Sequence, residues 1–531
     1  MMTTRTSSQP FEHAAQAGRW LREQLGANAH ITLDSRKIAR GDGFIAAPGL
    51  TVDGRQFVGD AVARGAAAVL QHADSDSAED GSVVDQASVP TQAMLGLAGL
   101  TGEVAAEFYA HPSEALTIVA ITGTNGKTSC ANWVASGAGA LLGTKGGTAA
   151  AIGTLGVSRF ERGPATATAA FETDANSTLT TPDAVSMQRV LAELAQSGVS
   201  LVALEASSIG LDQNRLGGVQ IDVAVFTNLT RDHLDYHGTM PAYEQAKALL
   251  FSRPELITAI VCGDDPASAA MLAAVPDGVR TIAYGLDPER FGALANESVT
   301  LADISTGSVQ TLLTLTGDMG EAKAQVSVTG RFNAINATAV WTVWRSLGLS
   351  GDEAGHQLSG LQAVAGRMQA LREPDAPLVV IDYAHTPDAL AAALAALADQ
   401  HKSRGGDLWC VFGCGGDRDA GKRAPMAQVA QAGATRLVLT SDNPRGESPE
   451  VILEQMRAGL TCEPWRVDVD RRRAIEAAVL AAGVNDIVLI AGKGHEAWQE
   501  IAGVKHPFSD EAVARDALRQ RRSDDAGGAR V

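Results

Sequence analysis

Seven short apolar runs recur along the chain, most of them rich in Val, Ile and Leu and each ending in a polar or glycine-rich turn. "LTIVAI" precedes "TGTNGKTS", "LVAL" precedes "EASS", and "VAVF" precedes "TNLTRDHLDYH". Further on, "LVVI" precedes "DYAHTPDAL", "LWCVF" precedes "GCGGDRDAGKR", "LVLT" precedes "SDNPRGE", and "IVLI" precedes "AGKGHE". Ala/Leu-rich stretches of helical character follow the turns. Runs that are apolar throughout, rather than alternating, mark strands buried on both faces, and their alternation with helices predicts parallel sheets covered on both sides. The fold class is therefore α/β. Each polar motif falls at the carboxyl end of a strand, where open α/β sheets bind ligands.

Size and charge narrow the picture. A chain of 531 residues supports two to four domains, each with its own core. The net charge of −18 excludes nonspecific nucleic-acid binding, which needs a basic surface. It leaves room for anionic small substrates, because a few Arg, Lys and Mg²⁺ charges set the field of one cleft. No apolar run reaches the roughly 18 residues a membrane span requires, and "MMTTRTSSQPFEHAAQ" lacks a signal peptide's apolar core. The five cysteines form no pair of CxxC motifs and read as free thiols. The expectation is a cytoplasmic protein without membrane insertion. The polar stretch 73–90 reads as a loop, and 161–178 as another or as an elaborated hairpin.

"AITGTNGKTSC" carries the first chemistry. The widespread phosphate loop G-x-x-x-x-G-K-[ST] would place glycine at position 121, where this chain has Ile121; Gly123 stands only three residues before Gly126. The strand–loop–helix setting still turns backbone N–H groups toward an anion, aided by the helix N-terminus. Gly123, Thr124, Asn125, Gly126, Lys127, Thr128 and Ser129 form the candidate nucleotide loop. Lys127 is placed to meet the β- and γ-phosphates, and Thr128 to ligate Mg²⁺. Glu205 and His233 follow strand ends and join Thr128 as candidate Mg²⁺ ligands. His237 reads equally well as a helix cap.

"GTNGKT", "EASSIGLDQNR", "NLTRDHLDYH", "GRFNAINATAV", "GRMQ" and "DYAHTPDAL" together resemble the Mur ligase family, ATP-dependent amide-forming enzymes of peptidoglycan precursor synthesis. The short phosphate loop is that family's own version. The matches run from about residue 33 to 496, in the family's order. The resemblance implies three domains: an N-terminal α/β UDP-binding domain (1–112), a central P-loop ATPase with a mostly parallel sheet (113–348), and a C-terminal Rossmann-like domain that brings the amino acid (349–531). It also implies an acyl phosphate made from ATP and a substrate carboxylate, attacked by an incoming amine; a monomer is expected.

Roles carry over by position. Asn333, Arg367, Asp382 and His385 match residues that close over ATP. Lys247 matches a lysine that family members carry as a carbamate (N6-carboxylysine, formed with CO₂), which would hold a second Mg²⁺; Lys127, Lys247 and His233 are the expected catalytic set. Leu33 and Ser35 match the uridine diphosphate segment. Thr180, Thr181, Ser207, Gln213 and Arg215 match contacts to the muramoyl-peptide part. Leu179 and Ile209 depart from the Asn and His often found there.

"SDNPRGESPE" points to the amino acid. Asp442, Asn443, Pro444 and Arg445 match the members that add meso-diaminopimelate to UDP-MurNAc-L-Ala-D-Glu, with Arg418, Gly492 and Glu496 as further contacts. Diaminopimelate differs from lysine by one carboxylate, and a guanidinium grips a carboxylate bidentately. Glu496 suits an ammonium. The alternatives are a sibling ligase using lysine, a folylpolyglutamate-like ligase, and a nucleotide-dependent switch without ligation.

Overall fold

The computed structural model describes residues 9–50, 52–74, 88–139, 148–160, 179–306 and 310–528. The loop or hairpin expected over 161–178 lies outside them, as does most of 73–90. Among the described residues, three large sheets and one two-stranded hairpin organise the chain. The first has four parallel strands in the order β1 (Ile31–Thr32), β2 (Gly43–Ala46), β3 (Ala68–Ala73), β4 (Thr91–Leu95).

The second sheet is built from β5 (Thr117–Thr122), β6 (Thr148–Gly153), β7 (Gly156–Phe160), β8 (Val199–Glu205), β9 (Val223–Phe226), β10 (Thr258–Cys262), β11 (Arg280–Gly285), β12 (Glu297–Thr306), β13 (Thr311–Gly317) and β14 (Ala322–Val326). Their order is β14-β13-β12-β11-β10-β9-β5-β8-β6-β7. Strands β12 through β6 run parallel, while β7, β13 and β14 are antiparallel additions at the edges. The continuous apolar pattern has its reason here. On β5, Val119 and Ile121 enter a core with the helices Lys127–Gly137 and Arg331–Ser346, while Ile118 and Ala120 enter a second core on the opposite face.

The third sheet comprises β15 (Gln369–Leu371), β16 (Leu378–Asp382), β17 (Leu408–Phe412), β18 (Arg436–Thr440), β19 (Arg466–Asp468) and β20 (Ile487–Ala491), in the order β15-β16-β20-β17-β18-β19. Only β15 is antiparallel. A hairpin, β21 (Trp498–Ile501) with β22 (Val504–Pro507), follows. All seven apolar runs are thus parallel strands with their polar motifs at the carboxyl ends.

One boundary moves. The helix Gly351–Ser359, expected to open the third domain after residue 348, packs on β14 and on Arg331–Ser346. Leu349, Ala354, Leu358 and Leu361 belong to the central core, whereas Met368 already belongs to the third. The glycines at 348 and 351 break the chain's direction without releasing it from that core. Among the described residues no helix is long and apolar enough to cross a membrane.

Candidate functional site

Strand β5 delivers the phosphate loop into the helix Lys127–Gly137, which begins at the lysine itself. Gly123 (φ +144°) and Gly126 (φ +90°) both occupy backbone conformations that disfavour L side chains. A Cβ on Gly123 would collide with Thr227 Oγ1, and one on Gly126 would lie 2.6 Å from Asn336 Oδ1. The segment after β9 braces the loop: Thr124 N donates to Asn228 O (2.8 Å), Asn125 N to Asn228 Oδ1 (2.9 Å), and Thr227 Oγ1 to Asn125 O (2.6 Å). Lys127 Nζ folds back onto Gly123 O (2.8 Å) and Thr124 O (2.9 Å). Burial lowers its pKa against the pull of Glu205 and Asp232.

The loop opens on a cavity of about 490 Å³. Thr124 through Ser129, Glu205, His233, Arg367, Asp382 and His385 line it, so most of the expected nucleotide set converges there. Gly123 sits behind the surface and presents its carbonyl to Lys127. Asn333 does not line the cavity: it is buried, its amide donating to Thr329 O (2.9 Å) one turn back, and Asn336 takes the lining position. Asp382 faces the cavity, yet both its carboxylate oxygens accept backbone N–H groups, from Met368 (2.7 Å) and Ala384 (2.8 Å). Burial raises its pKa despite Arg367 nearby. Arg367 reaches across from the third sheet's side to Thr128 Oγ1 (3.1 Å) and stacks 4.4 Å from the Tyr383 ring.

Of the expected metal ligands, Thr128 and Glu205 meet. Thr128 Oγ1 donates to Glu205 Oε2 (2.9 Å), and Thr154, in the turn after β6, donates through N to Oε1 (2.8 Å) and through Oγ1 to Oε2 (3.2 Å). His233 lines the same cavity, its imidazole pushed down to about 4 by burial and by the charges of Lys127 and His385, against Asp232. A neutral imidazole and a buried carboxylate fit a divalent cation. Among the described residues, however, no group of three or more His, Cys, Asp or Glu converges as a full ligand shell. Such a partial set suits Mg²⁺, which keeps waters and phosphate oxygens in its shell.

Lys247, on the helix Met240–Ala248, is 1% exposed rather than a solvated helix position. It lies outside the cavity lining, with Nζ 4.3 Å from the Tyr243 ring centre and no hydrogen-bond partner among the described residues. Burial, with Lys127 adding repulsion, drives its pKa well below the usual lysine value.

The muramoyl-peptide candidates form one network. Thr181 Oγ1 donates to Glu205 O (2.7 Å) and lies 2.9 Å from Ser207 Oγ. Thr180 Oγ1 lies 3.3 Å from Thr154 Oγ1. Arg215 holds Thr181 O (2.9 Å) and Gln213 Oε1 (2.7 Å). Ser207 also caps the helix Ser208–Asp212 through Gly210 N (3.1 Å), and Leu179 is exposed. Leu33 and Ser35 lie apart, at the first sheet, where Ser35 Oγ donates to Asp60 Oδ2 (2.8 Å); neither lines the central cavity.

A second cavity of about 150 Å³ is lined by Arg418, Asp442, Arg445, Gly492 and Glu496. Asn443 and Pro444 stand behind this surface. Asn443 Nδ2 donates to Glu496 Oε2 (2.9 Å). Arg445 (φ +51°) is clamped to β21 through N–H to Glu500 O (3.1 Å), and its Nη1 donates to Gly416 O (2.8 Å). Arg423, 1% exposed, pairs with Glu447 (2.8 Å), whose carboxylate also accepts Asp417 N (2.5 Å); the loops bearing Arg418 and Arg445 are thereby tied together. Arg418 itself pairs with Asp235 of the central unit (3.2 Å), beside the reciprocal pair Arg231–Asp419 (3.2 Å). Asp232, His233, Tyr383 and His385 line both cavities, so the two adjoin. His385 Nε2 lies 3.7 Å from Asp232 Oδ2. Burial would raise the Asp232 carboxyl, but His385 and His233 hold it far below the usual range.

Sequence reasoning missed Thr154, Asn228, Asp232, Asp235, Asn336 and Lys493. Asp232 and Asp235 sit inside the quoted "TRDHLDYH" and Lys493 inside "GKGHE", so position after a strand end was an available signal. Thr154 lies in an ordinary hairpin turn and carried none.

A family model described as the Mur ligase middle domain matches residues 121–344. "Mur ligase, glutamate ligase domain" matches 366–494, and "Mur ligase family, catalytic domain" matches 29–109. A UDP-N-acetylmuramoyl-L-alanyl-D-glutamate--2,6-diaminopimelate ligase of Ralstonia nicotianae is 42% identical over 511 residues, covering 94% of this chain and 95% of the relative. A ligase of the same name from Acidovorax sp. is 44% identical over 507 residues, covering 94% and 96%. A solved structure of a ligase of that name superposes with a TM-score of 0.60 at 34% identity, over 93% of this chain and 95% of the other. MurF from Thermotoga maritima in complex with ADP (TM-score 0.61, 17% identity, 93% and 98% covered) shares the fold.

Proposed function

Because the chain belongs to the Mur ligase family, we propose that it joins meso-diaminopimelate to UDP-MurNAc-L-Ala-D-Glu, consuming ATP and releasing ADP and phosphate. The observation that carries this reading is the junction of the two cavities at Asp232, His233, Tyr383 and His385. A phosphate loop opens on one side, and two arginines with a glutamate line the other. An acyl phosphate formed at that junction is within reach of an amine held by the third unit.

The γ-phosphoryl passes to a carboxylate oxygen of the UDP-linked dipeptide; the diaminopimelate amine then attacks the carbonyl carbon, loses a proton, and phosphate leaves as the amide forms. No protein nucleophile is needed, and positioning plus cationic charge lowers the barrier. The loop N–H groups and Lys127 bind the phosphates. Thr128, Glu205 and His233 would hold Mg²⁺, which neutralises phosphate charge when bound. The loop, Lys127, Arg367 and Asn336 surround the ATP site, with Asp382 ordering the turn that carries His385. Thr180, Thr181, Ser207, Gln213 and Arg215 face the muramoyl peptide, and Leu33 and Ser35 the uridine diphosphate. Lys247, buried with no hydrogen-bond partner among the described residues and with its pKa driven down by burial, would add to CO₂ through its neutral amine and release a proton, giving a carbamate anion. Contacts across the units exclude water from the acyl phosphate. The setting we propose is a monomer in the cytoplasm, where ATP is at hand.

The test is phosphate release from ATP with UDP-MurNAc-L-Ala-D-Glu and either meso-diaminopimelate or L-lysine. Release with diaminopimelate and hardly any with lysine is the expected result. Equal rates would remove the amino-acid assignment, and no release with either would remove the ligase.

A further inference from the structure

Behind the amino-acid cavity lies a lysine with no exposed surface. Lys493 is 0% exposed, and its Nζ donates to Glu496 Oε2 (2.6 Å) and Asn443 Oδ1 (2.9 Å). Asn443 completes the arrangement: its Oδ1 also accepts Glu500 N (3.0 Å), and its Nδ2 donates to the same Glu496 Oε2 (2.9 Å). Two donors therefore converge on one oxygen of Glu496. Among the described residues none donates to Oε1, and Glu496 lines the cavity with Arg445 and Arg418.

We propose that Lys493 is a positioning residue for substrate specificity, fixing Glu496 through Oε2 so that Oε1 is aimed at the distal ammonium of the diamino diacid. The inference rests on the function proposed above. A glutamate side chain with free rotamers would lose entropy on binding an ammonium; one held beforehand does not, and preorganised polar groups reject ligands that leave them unpaired. A buried lysine is expensive without a partner, so its placement beside this carboxylate selects one rotamer of Glu496. Arg445 reads the distal carboxylate, and the Lys493–Asn443–Glu496 set reads the ammonium on the same carbon.

The experiment compares meso-diaminopimelate with 2-aminopimelate, which keeps both carboxylates and lacks the second ammonium. In Lys493→Met the KM for diaminopimelate should rise at least tenfold with kcat within threefold. kcat/KM for 2-aminopimelate and the KM for ATP should stay within threefold. The preference for diaminopimelate then falls about tenfold. In a Glu496→Gln background, Lys493→Met should add less than threefold, because its action passes through that carboxylate. Equal losses with both amino acids, or additive losses in the double variant, would overturn the inference and leave a structural lysine. Lys493→Leu, which also removes the donor, serves the same comparison should the methionine variant not fold, and Lys493→Gln, which keeps a donor, should recover part of the preference. Wild-type phosphate release reads the underlying function separately. Absence of release with diaminopimelate overturns both readings, whereas normal release with an unchanged preference in the variant overturns only this one.

Discussion

Replacing Arg445 should convert a selective enzyme into an indifferent one. A guanidinium facing a carboxylate with two N–H groups makes two charge-assisted hydrogen bonds, each about 1.5–3 kcal/mol. Two facts reduce that sum. The side chain is 24% exposed, so water screens part of the interaction, and Nη1 already donates to Gly416 O. About 2–4 kcal/mol remains, equivalent to about 30- to 1000-fold in kcat/KM. Arg445→Ala should show this loss with meso-diaminopimelate and under threefold change with L-lysine, which offers no second carboxylate. Arg445→Lys, a point charge without the fork, should recover only part. Steady-state phosphate release with both amino acids measures it. Losses that match for the two substrates would refute the reasoning, because Arg445 would then be holding the loop against β21 rather than reading a carboxylate.

Other predictions follow from single contacts. Thr128→Ala removes the hydroxyl that orients Glu205, and should raise the Mg²⁺ needed for half-maximal rate by about 10- to 100-fold; an unchanged Mg²⁺ titration refutes it. Lys247 binds a proton less readily folded than unfolded, so stability rises with pH between its depressed folded value and the usual value of 10.5. In bicarbonate-free buffer Lys247→Met should therefore melt higher than wild type near neutrality, with the gap narrowing as pH climbs toward 10.5, while turnover falls at least tenfold; a pH-independent gap in melting temperature would contradict this. Asp235→Asn frees Arg418 from an exposed pair worth about 0.2–1 kcal/mol. Its melting temperature should hardly move and its KM for diaminopimelate should fall by up to about fivefold, whereas a raised KM would show that Asp235 assists binding.

Local sequence determined what depends on neighbours along the chain. Runs such as "LVVI" and "IVLI" are apolar at every position because both faces of a parallel strand are covered, so β16 and β20 were legible without a structure. The two glycines and the lysine of "GTNGKT" marked the phosphate loop, although Thr227 and Asn228 brace it from over 100 residues away, and the motifs at strand ends marked most of the residues that line the two cavities. Tertiary structure decided what depends on residues far away in sequence. Burial of Lys247 comes from packing around its helix, not from the helix itself, and the choice of Asn336 over Asn333 depends on which turn faces the loop. The helix Gly351–Ser359 stays with the central core because Ala354 and Leu358 find partners there, which no boundary signal in its own residues records. Thr154 reaches Glu205 across 51 positions and Arg367 reaches Thr128 across 239. Such contacts join separate strand ends into one site, and pairing over that range is set by sheet order, which a periodicity of two or 3.6 residues cannot encode.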